Sequence, residues 1–184
     1  MRLYLLRHGQ PEIAPGICYG STDLAVAPQE HVRIVAAVAP LLPQRAPVFS
    51  SPSRRCRELA TRLADALGSG TVTCDERLAE MHFGEWEMCM WDDIPREQVD
   101  AWANDPVRYR PGNGESVLQM AQRVHAFHEE LRQQQCAHAV VVCHAGTMRV
   151  LSECRVGASP LFMASSAAKA RRNIAYGELI TLDS

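Results

Sequence analysis

Residues 139–143 read Ala-Val-Val-Val-Cys, and the chain then passes directly into the tripeptide His-Ala-Gly at 144–146. A continuous apolar run that is rich in β-branched residues is typical of a central strand buried by helices on both faces. A second, largely apolar run at residues 2–6 leads into the tripeptide Arg-His-Gly at 7–9. The two runs predict interior strands of one sheet, each with a histidine at its carboxyl end.

The segments between the apolar runs have helical spacing. Apolar residues recur three and four positions apart, as on one helix face, in residues 32–42, 56–67 and 117–131. We predict that the second of these helices is capped by Ser51, has Pro52 at its first position and ends at Gly68. Residues 48–50 and 71–74 are two further strand candidates.

Strands therefore alternate with helices, which predicts an α/β fold. We expect a three-layer α/β/α sandwich around a mostly parallel sheet, with residues 1–184 in a single domain, because one hydrophobic core can serve a chain of 184 residues. Outside the alternation lie a proline-rich loop from 11 to 28, an irregular excursion from 81 to 114 with a short helix near 97–103, and a strand pair from 173 to 182 that turns at 177–178. In such folds the ligand crevice opens at the carboxyl ends of the strands.

Charge and composition exclude several classes of partner. The 19 basic and 21 acidic residues give a net charge of -2, so no global positive field attracts nucleic acid or an anionic membrane. No apolar stretch approaches the ~18 residues of a membrane span, and the N-terminal run is too short for a signal peptide. The seven scattered cysteines contain no Cys-x-x-Cys pair, which is typical of reduced thiols. We expect a cytoplasmic protein without nucleic-acid or membrane partners, and a homodimer stays open.

Histidines follow both apolar runs. His8 and His144 each stand at the end of a predicted strand, and each is followed by small residues that would let a substrate approach the backbone. If both strands are central and parallel, the two imidazoles meet in one crevice. A hydrogen-bonded structural role is the alternative for either histidine.

Three arginines, Arg54, Arg55 and Arg57, fall in the first turn of the second predicted helix. Positive side chains oppose the helix dipole at that position. A bound phosphate would be stabilised there by the dipole and by the guanidinium groups together. The pattern indicates an anion site, with a solvated surface as the alternative for each arginine.

Five ordered motifs run along the chain. They are Leu-Arg-His-Gly-Gln at 6–10, Ser-Ser-Pro at 50–52 with Arg55 and Ala60, the set Leu78, Glu80, Phe83, Gly84, Trp86 and Glu87, Gly-Glu-Ser at 114–116, and His-Ala-Gly at 144–146. Together they resemble the histidine phosphatase superfamily, in the branch that contains the phosphoglycerate mutases and many small-molecule phosphatases. Asn173 stands where the family has an asparagine in a late strand. The resemblance spans nearly the whole chain and implies a phosphoglycerate mutase-like fold.

The resemblance implies chemical roles for five residues. His8 is the implied nucleophile, which becomes a phosphohistidine that water then hydrolyses. Its other ring nitrogen is expected to keep a proton by donating to a backbone carbonyl. Arg7, Arg55 and His144 would surround the phosphoryl oxygens, and Glu80 would protonate the leaving alkoxide and then activate water. Neither a metal nor a cofactor is implied.

Composition alone does not select the acid. Without the resemblance, Glu85, Glu87 and Glu115 are equally plausible acids.

Two other sets of residues receive the simpler structural interpretation. We interpret Trp86, Trp91 and Trp102 as the core of the excursion. We interpret His125, His128 and Glu129 as a solvated or core-edge helix face rather than a metal site.

Two departures separate the chain from the mutases. The loop after Gln10 lacks the asparagine that mutases use to hold phosphate, and 184 residues are too few for the mutase insertions that bind a second phosphate. We therefore expect a metal-independent phosphomonoesterase that hydrolyses a small-molecule phosphate ester.

The loop also suggests a substrate. Residues 14–24, with Trp91, Ile94 and Pro95, resemble the bacterial alpha-ribazole phosphatases of cobalamin biosynthesis, which makes alpha-ribazole 5'-phosphate the leading substrate hypothesis. The resemblance suggests substrate-binding roles for Gln10, Tyr19, Gly20, Thr22, Asp23 and Ala145. A plain turn is the alternative for residues 19–23. The alternatives are a broad-specificity sugar-phosphate phosphatase, a phosphoglycerate mutase-type enzyme and, from another class, a catalytically silent phospholigand-binding module.

Overall fold

The apolar runs form the interior of a five-stranded sheet. The computed structural model describes residues 1–134, 136–170 and 173–183. Within them the strands are β1 (Arg2–Arg7), β2 (Val48–Ser50), β3 (Val72–Cys74), β4 (His138–Cys143) and β5 (Leu179–Asp183). Their order is β3-β2-β4-β1-β5. Strands β1, β2, β3 and β4 run parallel to one another, and only the edge strand β5 is antiparallel to its neighbour β1 among the described residues. The predicted mostly parallel sheet is confirmed.

Helices cover both faces of the sheet. The described residues form the α-helices α1 (Pro28–Val38), α2 (Arg54–Leu67), α3 (Arg96–Asn104), α4 (Val117–Gln133), α5 (Ala145–Ser152) and α6 (Pro160–Lys169). Along β4, Val140 and Val142 pack under α1 and α2, whereas Ala139, Val141 and Cys143 pack under α4, α5 and α6. Because side chains alternate along a strand, the unbroken apolar run supplies both cores at once. The result is the predicted three-layer α/β/α sandwich.

Helix α2 begins later than predicted. Its N-cap is Ser53 and its first residue is Arg54, so Pro52 precedes the helix and Ser51 does not cap it. The hydroxyl of buried Ser51 lies 2.8 Å from Nε2 of His144 instead. The helix does end at Gly68, which is in the left-handed conformation with φ of 63°.

The predicted strand pair at 173–182 is wrong in its first half. Residues 173–175 form no strand, and the chain turns at Tyr176 and Gly177 before β5. The N–H of Gly177 points at the carbonyls of Arg7 and His8, 3.2 Å from each. The polar backbone of this segment therefore bonds to the end of β1 and not to β5.

The proline-rich loop docks on the excursion. The N–H of Cys18 donates to the carbonyl of Cys89 at 2.8 Å, and the N–H of Met88 donates back to the carbonyl of Cys18 at 2.7 Å. Cys18, Trp86 and Ile94 form a small third core between the two segments. These contacts fix a rim of loops above the carboxyl ends of the parallel strands.

The described residues also show how the structure compares with two expectations from composition, on membrane spans and on cysteines. None of the helices in residues 1–134, 136–170 and 173–183 has the length and hydropathy that a membrane crossing requires. All seven cysteines are unpaired, and Cys18, Cys56, Cys143 and Cys154 are buried.

Candidate active site

The two strand-end histidines lie side by side at the carboxyl edge of the sheet. Strands β1 and β4 pair in register to their last residues, and the rings of His8 and His144 that follow have centroids 5.1 Å apart. A cavity of about 210 Å³ reaches both rings and is also lined by Arg7, Arg55 and Glu80. The structure thus brings together all five residues to which the sequence assigns catalytic roles. We name this space the phosphoryl pocket.

His8 is held in the tautomer that a nucleophile needs. Its Nδ1 lies 2.7 Å from the carbonyl oxygen of Gly9. Because a carbonyl oxygen can only accept, Nδ1 carries the proton and Nε2 keeps its lone pair. Burial, followed by the positive charge of Arg55, lowers the pKa of His8 to about 3. The imidazole is therefore neutral at pH 7.

His144 caps helix α5 and contacts the start of α2. Its Nε2 lies 2.8 Å from Oγ of Ser51 and 3.4 Å from Oγ of Ser53. The Sγ atom of Cys56 lies 3.5 Å from the same nitrogen. Burial, followed by the nearby His8 and arginines, lowers the pKa of His144 well below its ordinary value. This second imidazole is therefore an uncharged hydrogen-bonding group at pH 7.

Two guanidinium groups make the phosphoryl pocket positive. Arg55 is fully buried, and it donates from Nη1 to the carbonyl of Thr22 at 2.6 Å and from Nη2 to the carbonyl of Gly20. Arg7 donates from Nη1 to the carbonyl of Ile174. Within the described residues neither arginine forms an ion pair, and the buried Nε atom of each has no hydrogen-bond partner. Because an uncompensated buried charge is costly, the fully buried Arg55 favours an anion in the pocket, and the half-buried Arg7 adds positive charge beside it.

Glu80 stands at the mouth of the phosphoryl pocket. Its Oε2 accepts the N–H of Gly146 at 2.9 Å, and its Oε1 accepts the N–H of Met81 at 3.1 Å. Its side chain lines both the phosphoryl pocket and an adjoining cavity of about 410 Å³. The junction places this carboxyl group within reach of groups bound in either cavity.

The other glutamates that composition left open have different surroundings. Glu115 pairs with Arg123 at 2.7 Å, and Glu85 is exposed. Neither of them lines the phosphoryl pocket. The geometry of the site therefore favours Glu80 as the acid. The spacing of the glutamates along the sequence could not make this choice.

The glycines after the two histidines serve packing. A Cβ atom at Gly146 would lie 2.3 Å from Oε1 of Glu80, and one at Gly9 would lie 2.8 Å from Cγ of Glu30. Ala145 and Gly146 also line the cavity of about 410 Å³, so the expectation that small residues here admit a substrate to the backbone stays a prediction. At Gly146 that close approach sets the position of the candidate acid.

Glu87 has a role that the sequence did not indicate. Its carboxylate accepts backbone N–H groups from Gly20 at 3.0 Å, Ser21 at 3.0 Å, Thr22 at 3.2 Å and Phe83 at 2.9 Å, and also accepts the Thr22 hydroxyl. Burial raises the pKa of Glu87, but the hydrogen bonds, that from the Thr22 hydroxyl foremost, outweigh it and hold the pKa below its ordinary value. Glu87 thereby fixes the loop whose carbonyls hold Arg55.

Replacement of Glu87 by glutamine is expected to loosen this loop. One amide oxygen cannot accept all the N–H groups that the carboxylate accepts, and the amide NH₂ would face donors. Because an unmet buried hydrogen bond costs about 1–3 kcal/mol, kcat/KM for p-nitrophenyl phosphate should fall about 10- to 100-fold, with a lower Tm. Steady-state kinetics and thermal melts measure both. The exposed neighbour Glu85→Gln should change neither, and a fully active, equally stable Glu87→Gln would contradict the role.

Two of the predicted substrate-binding residues line the cavities and a third does not. Tyr19 lines both the phosphoryl pocket and the larger cavity, and Ala145 lines the larger one. Gln10 is exposed and is not among the residues that line either cavity.

The remaining three act through the arginines of helix α2. Gly20 and Thr22 present carbonyl groups to Arg55, and Oδ1 of Asp23 accepts the N–H of Arg54 at 2.7 Å. The side chain of Arg54 turns outward to Glu58, 2.6 Å away. Of the arginines at the start of α2, Arg55 is the one that lines the phosphoryl pocket.

The tryptophans divide between core and cavity. Trp86 is buried, as predicted. Trp91, however, is 38% exposed and lines the phosphoryl pocket, and Trp102 lines the larger cavity. The interpretation as core is therefore wrong for the exposed Trp91, whereas Trp102 is half-buried and packs against the small core that contains Trp86. His128 is buried in α4, and among the described residues no three His, Cys, Asp or Glu side chains gather as ligands for a metal ion.

Comparison with known proteins identifies the family. A family model of the histidine phosphatase superfamily (branch 1) matches residues 3–171. The chain belongs to this superfamily. It is 32% identical over 155 residues to a Hydrogenobacter thermophilus protein named for phosphoserine phosphatase activity, which covers 82% of this chain and 76% of that protein. It is 36% identical over 163 residues to the adenosylcobalamin/alpha-ribazole phosphatase of Escherichia coli, covering 82% of this chain and 77% of that protein.

A solved structure agrees with the fold of this histidine phosphatase. The native mycobacterial glucosyl-3-phosphoglycerate phosphatase superimposes with a TM-score of 0.78 at 26% identity, covering 98% of this chain and 88% of that one. The predicted α/β fold is confirmed. As a phosphatase of this superfamily, the chain is a phosphoric monoester hydrolase.

Proposed function

We propose that this histidine phosphatase is a metal-independent phosphomonoesterase that transfers a phosphoryl group first to His8 and then to water. The observation that carries the proposal is a neutral, buried imidazole with its Nε2 lone pair free, beside the uncompensated guanidinium groups of Arg7 and Arg55. A phosphate monoester supplies both the electrophile for the first group and the anion for the others.

In the first step Nε2 of His8 attacks phosphorus in line with the leaving oxygen. The P–N bond forms as the P–O bond breaks, and Glu80 gives its proton to the leaving oxygen, so that the alcohol departs neutral. Arg7 and Arg55 balance the charge on the equatorial oxygens, and His144 adds a neutral hydrogen-bonding group at the same oxygens. Because these groups are already held in place, little reorganisation is needed during the reaction.

In the second step Glu80 acts as a base. As a carboxylate it takes a proton from water, whose oxygen attacks phosphorus while the P–N bond breaks. His8 returns to its neutral form, Glu80 is protonated again, and inorganic phosphate leaves. The N–H groups of Gly146 and Met81 hold the carboxyl group of Glu80 at one position, from which it donates its proton in the first step and accepts one in the second.

For the substrate we propose alpha-ribazole 5'-phosphate. The larger cavity adjoins the phosphoryl pocket through Tyr19, Glu80 and Phe83, which line both. Its other walls are mostly apolar or aromatic and include Met81, Trp102, Val117, Met120 and Val150. Such walls suit a flat apolar ring better than a sugar or an amino acid, whose polar groups would lose their hydration. The similarity to the Escherichia coli alpha-ribazole phosphatase supports the same choice.

We propose the cytoplasm as the site of action, since unpaired cysteines persist there.

A substrate panel tests this proposal. We expect the highest kcat/KM on alpha-ribazole 5'-phosphate, ahead of phosphoserine and glucosyl-3-phosphoglycerate. Trp102→Leu should raise KM for alpha-ribazole 5'-phosphate about tenfold, because a buried aromatic contact contributes about 0.5–1.5 kcal/mol beyond its area, and should affect phosphoserine less. Equal or higher kcat/KM on either other ester would contradict the substrate. Phosphate binding without turnover of any ester would favour the catalytically silent module.

A further inference from the structure

A tyrosine in the turn before β5 contacts three residues that line the phosphoryl pocket, Arg7, His8 and Tyr19. The Cζ atom of Arg7 lies 3.9 Å from the ring centroid of Tyr176. The same ring lies 5.7 Å from the ring of His8, at an interplanar angle of 45°. Its hydroxyl lies 2.7 Å from the hydroxyl of Tyr19. Neither the sequence motifs nor the two-step reaction gives Tyr176 a role.

The backbone of this turn is tied to the strand that carries the nucleophile. Gly177, with φ of 72°, directs its N–H at the carbonyls of Arg7 and His8, 3.2 Å from each. The N–H of Arg7 donates in return to the carbonyl of Glu178 at 3.0 Å. A Cβ atom at Gly177 would lie 2.8 Å from Cγ1 of Ile34, so the turn is pressed against helix α1. Tyr176 is therefore set by the same hydrogen bonds that hold the end of β1.

The position of Tyr176 limits where the guanidinium of Arg7 can point. Nη1 of Arg7 donates to the carbonyl of Ile174, and the face of the group stacks on Tyr176. A long arginine side chain has many rotamers, and their loss on ligand binding reduces affinity unless the group is held beforehand. Stacking on an aromatic face holds the guanidinium without using the N–H groups that a phosphoryl oxygen needs.

We infer that Tyr176 is a positioning residue that orients Arg7 toward the phosphoryl oxygens and, through its hydroxyl, holds Tyr19 at the junction of the two cavities. This inference rests on the proposed function. The ring and the hydroxyl have separate tasks, because the ring contacts Arg7 and the hydroxyl contacts Tyr19. Burial, followed by the hydrogen bond to Tyr176, raises the pKa of Tyr19 above its ordinary value, so this phenol stays protonated at physiological pH.

Calorimetric binding of inorganic phosphate, together with kinetics on p-nitrophenyl phosphate, separates these tasks. Y176L should weaken phosphate binding and raise KM about three- to tenfold, with a smaller change in kcat. Y176F keeps the ring and should bind phosphate within about twofold of the wild type. Y4L removes a half-buried tyrosine from β1 and serves as the matched control, since Tyr4 lies away from both cavities.

A double-mutant cycle distinguishes positioning from general stabilisation of the fold. If Tyr176 acts through Arg7, Y176L should cause no further loss of phosphate affinity in the R7Q background. An equal loss in both backgrounds, or an unchanged affinity in Y176L alone, would overturn the inference. Y176M, which also lacks the ring, replaces Y176L if that variant does not fold.

The wild-type measurements separate this inference from the proposed function. Phosphate binding and ester turnover by the wild type, combined with an unchanged Y176L, would overturn the role of Tyr176 alone. A wild type that neither binds phosphate nor turns over any ester would overturn the proposed function itself.

Discussion

His8→Ala is expected to lower kcat/KM for every phosphomonoester by about 10⁴-fold or more, the scale on which removal of a nucleophile acts. Water would have to attack the phosphate directly, and the two easier steps would become one difficult step. Phosphate binding should survive, because Arg7 and Arg55 do not depend on the imidazole for their positions. Steady-state kinetics and calorimetry on the same preparation measure both quantities.

His138→Ala is the matched control for this variant. His138 begins β4, at the opposite end of the strand from His144, and its loss should leave kcat/KM within about twofold, as for surface changes that affect stability by about 0.5 kcal/mol. If His8→Ala kept substantial turnover while it remained folded, the nucleophile would have to be another group and the two-step reaction would be wrong.

Glu80→Gln has the second largest expected effect, and that effect depends on the leaving group. A glutamine cannot deliver a proton, so turnover of alkyl phosphates should fall by about 10²- to 10⁴-fold, the usual contribution of general acid catalysis. The loss on p-nitrophenyl phosphate should be much smaller for the first step, because p-nitrophenolate leaves without protonation. Burst kinetics with this ester should then show phosphoenzyme accumulation, since the second step still lacks its base.

Glu85→Gln provides the comparison for Glu80→Gln. Glu85 belongs to the same motif but is exposed, so its replacement should leave both classes of substrate unaffected. Equal losses in the rate of the first step, phosphoenzyme formation, on alkyl and p-nitrophenyl phosphates in Glu80→Gln would instead indicate that Glu80 positions the substrate and transfers no proton to the leaving group.

Much of the fold could be predicted from the sequence, because its strands and helices depend on local patterns of apolar residues. The unbroken apolar run at 139–143 can satisfy two helical layers at once, and this physical fact predicts a central strand and a three-layer fold. The parallel pairing of that strand with β1 then carries His8 and His144 to one edge. A pattern of apolar residues, together with the direction of two strands, sufficed for these features.

The residues that hold the side chains of the site in position act through contacts between segments that are distant in sequence. Ser51 has the composition of a helix cap, yet its hydroxyl bonds to His144 across the sheet edge. Glu87 contacts three successive N–H groups of a loop that precedes it by more than sixty residues. Tyr176 follows a predicted strand that does not form. Spacing along the chain carries no information about such pairs, because it does not state which loops meet above the strands.

The assignment of Glu80 as the acid shows the same limit of what the sequence alone can predict. Composition left four glutamates equal, and geometry separated them by their partners: Glu115 binds Arg123, Glu87 binds a loop, Glu85 faces solvent and Glu80 faces the pocket. Burial and hydrogen bonding thus decide between residues of one type only when their neighbours are known.

Covalent trapping is the most direct test of the central claim. Wild-type protein is mixed with radiolabelled substrate, quenched in alkaline denaturant and digested, and the label is located by peptide mapping. We expect an acid-labile, base-stable phosphate on the peptide that contains His8, and none on His8→Ala treated in the same way. Turnover without any trapped phosphate, or a phosphate located on a different side chain, would contradict the phosphohistidine reaction.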